Sequence, residues 1–159
     1  MRYLNSIYDL LFESVESYSW EFIGDDNKLV KYTFEDIMGN KYLVEFKNMP
    51  RLRAGKDDLG TEYELCYFVY DESRQYYNVS KLVNVNPYRT LQTVLGDIMK
   101  DFVERKSWVK KISMFGLAKD SEKHYMTQRT KMYVRYLEMN PLPGYKMENN
   151  SNRIDLIKI

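Results

Sequence analysis

NPYRTLQTVLGDIMKDF, running from Asn86 to Phe102, decides how this chain is read. Asn86 is a capping residue type, and Pro87 stands at a first helical position, where its missing N–H costs nothing. Tyr88, Leu91, Leu95, Ile98 and Phe102 then recur at the helical period, with Val94 and Met99 widening the apolar stripe. Further on, Lys110 to Phe115 is too short for a helix and reads as a strand covered on both faces. After Lys119-Asp120-Ser121 a second helix is predicted, with Met126, Thr130, Tyr133, Val134 and Leu137 inward and Arg129, Lys131 and Arg135 outward. Pro141-Leu142-Pro143-Gly144 stops it.

Upstream, the period changes from helical to two. Tyr18, Trp20 and Phe22 alternate with Ser19 and Glu21, and Gly24 to Asn27 supply a turn. Lys28 to Glu35 presents Val30, Tyr32 and Phe34 on one side. Gly39-Asn40 turns the chain into a third strand, where Tyr42, Val44 and Phe46 alternate with Leu43, Glu45 and Lys47, and these strands are expected to pair antiparallel. Asn48 to Gly60 is polar and of mixed charge, a loop by composition. Glu62 to Tyr70 is a fourth, central strand, and Asp71 to Asn86 a long connection holding a short extended piece. At the start, Tyr3 to Val15 has the spacing of a short amphipathic helix. At the end, Tyr145 to Met147 and Arg153 to Ile159 read as a hairpin. The expectation is a single α+β domain over 1–159, with a mostly antiparallel mixed sheet flanked by helices. Its order is helix, four strands, helix, strand, helix, terminal hairpin.

With 159 residues, the chain can bury one core without splitting. No apolar run approaches the roughly 18 residues of a membrane span, so no membrane partner is expected. Met1 to Ser6 lack the pattern of a secretory signal, and the single Cys66 cannot form an internal disulfide, which favours a reducing compartment. A net charge of +1 creates no overall field for a polyanion. Tyrosine is unusually frequent, 15 residues, and suits half-buried strand positions as well as binding surfaces.

The chemistry-bearing residues are sparse. One histidine, His124, excludes a histidine-rich metal site, and Cys66 sits inside an apolar strand, where a thiol is structural. Asp25-Asp26 and Asp57-Asp58 fall in turns. No Walker loop, nucleophile elbow or dinucleotide fingerprint occurs. Two basic groups occur, Arg51, Arg53 and Lys56 in one loop, and Lys106, Lys110 and Lys111 bracketing the aromatic Trp108. Such residues could track phosphates and stack a base, or contact a protein partner.

The order of elements resembles the GNAT-type N-acetyltransferase fold. Met132-Tyr133 followed by Gly144-Tyr145 is similar to a late segment of that family, whose helical tyrosine serves as general acid, so the resemblance implies Tyr133 in that role with acetyl-CoA as cofactor. That family grips the cofactor's pyrophosphate with a glycine-rich turn before the first long helix, but Val83 to Arg89 contain no glycine, and Pro87 removes a donor. The same layout, with Gly39 to Phe46, Thr93 to Phe102 and Arg129 to Tyr133, also resembles a group of small tailed-bacteriophage proteins. That likeness implies a viral origin. The expectation is therefore a phage-encoded, non-catalytic binding protein without a cofactor, in the virion or the host cytoplasm. Its role would be that of a virion or assembly component, or of a modulator of a host protein. Two other readings stand beside it: an acyltransferase using acetyl-CoA through Tyr133, and a binder of single-stranded nucleic acid.

Overall fold

Period-two alternation resolves into strands because each strand has one face to bury. The computed structural model describes residues 16–50, 59–78, 86–115 and 128–159. Strands β1 (Trp20–Asp25), β2 (Leu29–Glu35), β3 (Lys41–Met49) and β4 (Glu62–Asp71) pair successively antiparallel, and β5 (Tyr76–Asn78) folds back on the end of β4. After the helical run comes β6 (Lys111–Phe115), parallel to β4. The hairpin of β7 (Tyr145–Asn150) and β8 (Arg153–Lys158) joins β6 through β8. The spatial order is β1-β2-β3-β4-β6-β8-β7, with β5 beside β4.

One face of this sheet is apolar: Val30, Tyr32, Phe34, Tyr42, Val44, Phe46, Tyr63, Leu65, Ile112, Met114, Ile154 and Leu156 are all buried. The alternate positions form rows of opposite charge across strands, Lys31 beside Glu45, Lys47 beside Glu64 and Glu62 beside Lys111, an arrangement that supports the pairing register. Against the apolar face lies an unbroken helical run made of α1 (Pro87–Leu91), a π-helical segment (Gln92–Ile98) and α2 (Met99–Arg105). Its Phe102 stacks on Phe46 at 3.9 Å and meets Tyr63 edge-on at 5.0 Å. Thr93 Oγ1 donates to the Arg89 carbonyl at 2.8 Å, and a side chain bonded one turn back competes for a backbone acceptor of the ladder. Helix α3 (Gln128–Met139) rests against this run, with Tyr136 Oη donating to Gln92 Oε1 at 2.7 Å over Gly96.

The helix-flanked layout expected from the sequence does not hold. The described part of the molecule is sheet-dominated: its eight strands all join one mixed sheet. Five strands precede the first described helix, because the short extended piece expected in the connection is Tyr76–Asn78, which pairs with β4 as a strand of the sheet. Among the described residues the helical part is one long run and a shorter α3, so the acetyltransferase-like order is set aside. The expected helix at Tyr3–Val15 lies outside the described residues, as do His124 and Met126. In α3, Thr130, Tyr133 and Leu137 are buried as expected, Val134 is only partly so, and the fully buried Tyr136 was not among the predicted inward residues. No helix among the described residues is long and apolar enough to cross a membrane.

Candidate functional site

Asp36 organises the most distinctive surface of the molecule, the turn between β2 and β3. Its buried carboxylate accepts from the amides of Met38 at 2.9 Å and Asn40 at 3.0 Å. It also accepts from Asn40 Nδ2 at 2.8 Å and from Tyr42 Oη at 3.0 Å. The main chain closes the loop through Gly39 N to Asp36 O and Asp36 N to Asn40 O, each 3.0 Å, with Gly39 at φ +80°, where a Cβ would be strained. Burial, reinforced by Asp36, pushes the Tyr42 phenol far above its ordinary range, so Tyr42 remains a donor. This web holds out two large apolar side chains, Ile37 and Met38, which are 74% and 73% exposed.

The tip stands between two depressions. One, of about 660 Å³, is lined by Tyr18, Trp20, Phe34, Ile37 and Arg89 among others. The other, of about 530 Å³, lies between Met38 to Lys41 and the β4–β5 turn at Tyr70 to Ser73. That second turn is built alike, with Asp71 Oδ1 accepting from Ser73 N at 3.1 Å and Ser73 Oγ at 2.7 Å.

Of the predicted basic residues, Lys106, Lys110 and Lys111, with Trp108, lie at the opposite end of the sheet. Lys106 follows α2 and is buried. Its ammonium pairs with Asp25 at 2.7 Å and donates to Asn27 Oδ1. Burial alone would raise the Asp25 carboxyl, but Lys106 and the Asn27 amide outweigh it and hold it below its usual value. Trp108 is half-exposed, with its ring 5.8 Å from Tyr63. Lys111 lies 3.9 Å from Asp155, and Lys110 is exposed. Lys106, Trp108, Lys110 and Lys111 are thus brought together, but two of the three charges are spent on internal carboxylates. Arg51, Arg53 and Lys56 lie outside the described residues. The neck of their segment is clamped at this same end, where Asn48 Nδ2 donates to Gly60 O and Gly60 N to Asn48 Oδ1, both at 2.9 Å.

Tyr133 lies in a third place. β4 and β6 pair only from Glu62 to Leu65, and beyond that a cleft of about 240 Å³ opens, lined by Tyr67, Leu95, Met114, Arg129 and Tyr133 among others. Tyr133 Oη donates to Tyr67 Oη at 3.0 Å, and burial pushes its phenol well above the ordinary value. At the start of α1, the Arg89 amide is occupied by Asn86, bonded to its carbonyl at 3.1 Å and its side chain at 3.2 Å. Cys66 sits on the charged face, and burial followed by the Glu64 and Glu45 carboxylates pushes its thiol up to about 11. Among the described residues, no group of three or more His, Cys, Asp or Glu is placed to hold a metal ion.

The residues not singled out from the sequence are Asp36, Ile37, Met38, Tyr18 and Arg89. The signal for the first three was present: two large apolar residues inside a turn, preceded by Asp and followed by Gly-Asn, which makes the turn rigid instead of merely polar. Comparison with family models, with curated proteins and with solved structures found no match.

Proposed function

We propose that the chain acts by binding a protein partner, without covalent chemistry, through the sheet end that carries Ile37 and Met38. The observation that carries this reading is an exposed apolar pair on a turn locked by a buried carboxylate. Exposed apolar side chains are ordinarily scattered, and holding two of them rigid lowers the entropy cost of docking. The depressions on either side offer room for partner side chains around such an anchor. The likeness to tailed-phage proteins supports a partner in the virion or in the host cell.

The test is to recover the tagged protein from infected cells and from particles, identify what accompanies it, and measure affinity with that purified partner. Ile37→Ser with Met38→Ser is expected to weaken binding at least about tenfold while the melting temperature stays unchanged. An unchanged affinity refutes the assignment of the surface. Wild-type binding of an oligonucleotide tighter than about 1 μM at physiological salt, lost in Lys110→Ala with Trp108→Ala, would replace it with the nucleic-acid reading.

A further inference from the structure

Beside the Ile37 tip, four planar groups form a column. Tyr42 and Phe34 stack at 4.5 Å and 6°, Phe34 and Tyr18 at 5.9 Å and 14°, and the Arg89 guanidinium lies 4.1 Å over the Tyr18 ring. The last two members are fixed relative to each other by Thr93, which accepts from Tyr18 N at 2.9 Å and donates to the Arg89 carbonyl at 2.8 Å. Both line the cavity of about 660 Å³, a volume typical of ligand sites. Among the described residues, Tyr18 Oη and Arg89 Nε are the two buried side-chain polar atoms with no hydrogen-bond partner. Tyr18 itself is 5% exposed. Buried donors of this kind are regularly matched by an acceptor. Asp36, the buried carboxylate of this region, already accepts from Met38, Asn40 and Tyr42.

The surroundings define the acceptor. A guanidinium fork suits a carboxylate or a phosphate, each with two in-plane oxygens. The cavity wall, however, sets Glu21, Glu35 and Asp36 against Lys41 and Arg89, a net charge of −1 that opposes a dianion more strongly than a monoanion, so an anion is held by the Arg89 fork itself and not by the field of the wall. Trp20 and Phe34 add aromatic wall for an apolar body. We propose that this cavity binds a monocarboxylate carried on an apolar body, with Arg89 and Tyr18 Oη donating to the carboxylate. Such a group is found on a free organic acid and at a chain terminus.

The probes are N-acetylphenylalanine, its amide, a tetrapeptide ending in phenylalanine with a free carboxylate, and inorganic phosphate, titrated by calorimetry and by amide chemical shifts. The acid is expected to saturate at or below about 1 mM, the amide to bind at least about tenfold more weakly, and phosphate not to saturate. Tyr18→Phe keeps the stacked ring and is expected to weaken the acid several-fold. Arg89→Lys keeps the charge without the fork and is expected to weaken it at least about tenfold. A tetrapeptide tighter than the small acid assigns a chain terminus as the natural ligand, and equal affinities assign a free acid. Equal binding of acid and amide, no saturation up to about 10 mM, or an unchanged affinity in Tyr18→Phe overturns the proposal. Loss of partner capture on replacing Ile37 and Met38 is a separate readout and leaves this one standing.

Discussion

Replacing Asp36 with alanine separates the turn that presents Ile37 and Met38 from the residues presented. Four donors lose their acceptor: the Met38 and Asn40 amides, Asn40 Nδ2 and Tyr42 Oη. Met38 is exposed and Asn40 half-buried, so water can replace the carboxylate at three of those donors. Tyr42 is 3% exposed, so its hydroxyl loses its charged acceptor inside the core and keeps only the Thr90 side chain as a neighbour. Removing that acceptor from a buried hydroxyl costs roughly 1–3 kcal/mol, and exchanging charge-assisted bonds for water adds about 1 kcal/mol, giving ~2–4 kcal/mol in total. For a domain of this size that corresponds to a melting temperature lower by about 5–15 °C. Urea unfolding followed by circular dichroism measures it. In a Tyr42→Phe background the same substitution is expected to cost about 1–2 kcal/mol less, because that hydroxyl is gone. The protein partner is expected to bind Asp36→Ala more weakly although no side chain of the tip has changed. A cost within about 0.5 kcal/mol of zero, or strict additivity with Tyr42→Phe, would refute the reasoning.

Three further perturbations test other parts of the molecule. In Gly96→Ala the new Cβ would stand 2.6 Å from Tyr136 Oη. It displaces that hydroxyl from Gln92 and is expected to cost ~1–3 kcal/mol in chemical denaturation, and a neutral substitution would mean that α3 is seated differently. Cys66, with its thiol pushed up to about 11, is expected to react with a disulfide reagent at pH 8 on the order of a hundredfold more slowly than a free cysteine. A rate within tenfold of the free thiol contradicts its burial. Burial alone would raise Asp155, but Ser113, Arg153 and Lys111 outweigh it, so its folded pKa lies below the unfolded value. The stability it contributes is therefore present above about pH 4 and lost as pH falls through the folded pKa. Asp155→Asn is expected to be less stable at pH 7 and to show a flatter acid limb in urea midpoints, and identical pH profiles would contradict the ion-pair assignment.

Strands β2 to β4 were legible because each buries one face, and β1 because Trp20 and Phe22 alternate to pack on Tyr32, which leaves alternation in the sequence that needs no knowledge of partners. β5 was legible only as a short extended piece in a long connection, since Tyr76–Asn78 is too short to show a period and its place in the sheet comes from pairing with β4. The π-helical segment was hidden for a related reason. Its apolar stripe fits an ordinary helix, and only Thr93's bond to the Arg89 carbonyl marks the departure. The overall layout failed because strand count and sheet membership are settled by distant pairings such as β4 with β6, on which local periodicity is silent. Among candidate residues, Lys106 looked like a surface cation because its neighbours in sequence are polar. Its partner Asp25 comes from another element, brought near only by folding. Tyr18 and Arg89 are likewise joined through Thr93 and leave no trace at sequence spacing.

The parallel pairing of β4 with β6 has a consequence for how the chain reaches this state. β1 to β3 can zip together through short turns as soon as they are synthesised, and β4 joins them across a longer loop, each step closing a local connection. β6 can add to β4 only after residues 72 to 110 have been made and the helical run has crossed the sheet. Until then Tyr32, Val44, Phe46, Tyr63 and Leu65 present a continuous apolar surface to water, and the β4 edge that later receives β6 stands open. Folding is therefore gated by a late, non-local step, and the interval before it is the period of greatest exposure to self-association. Slowed synthesis or a chaperone that covers the nascent meander acts on that interval, upstream of any difference in native stability.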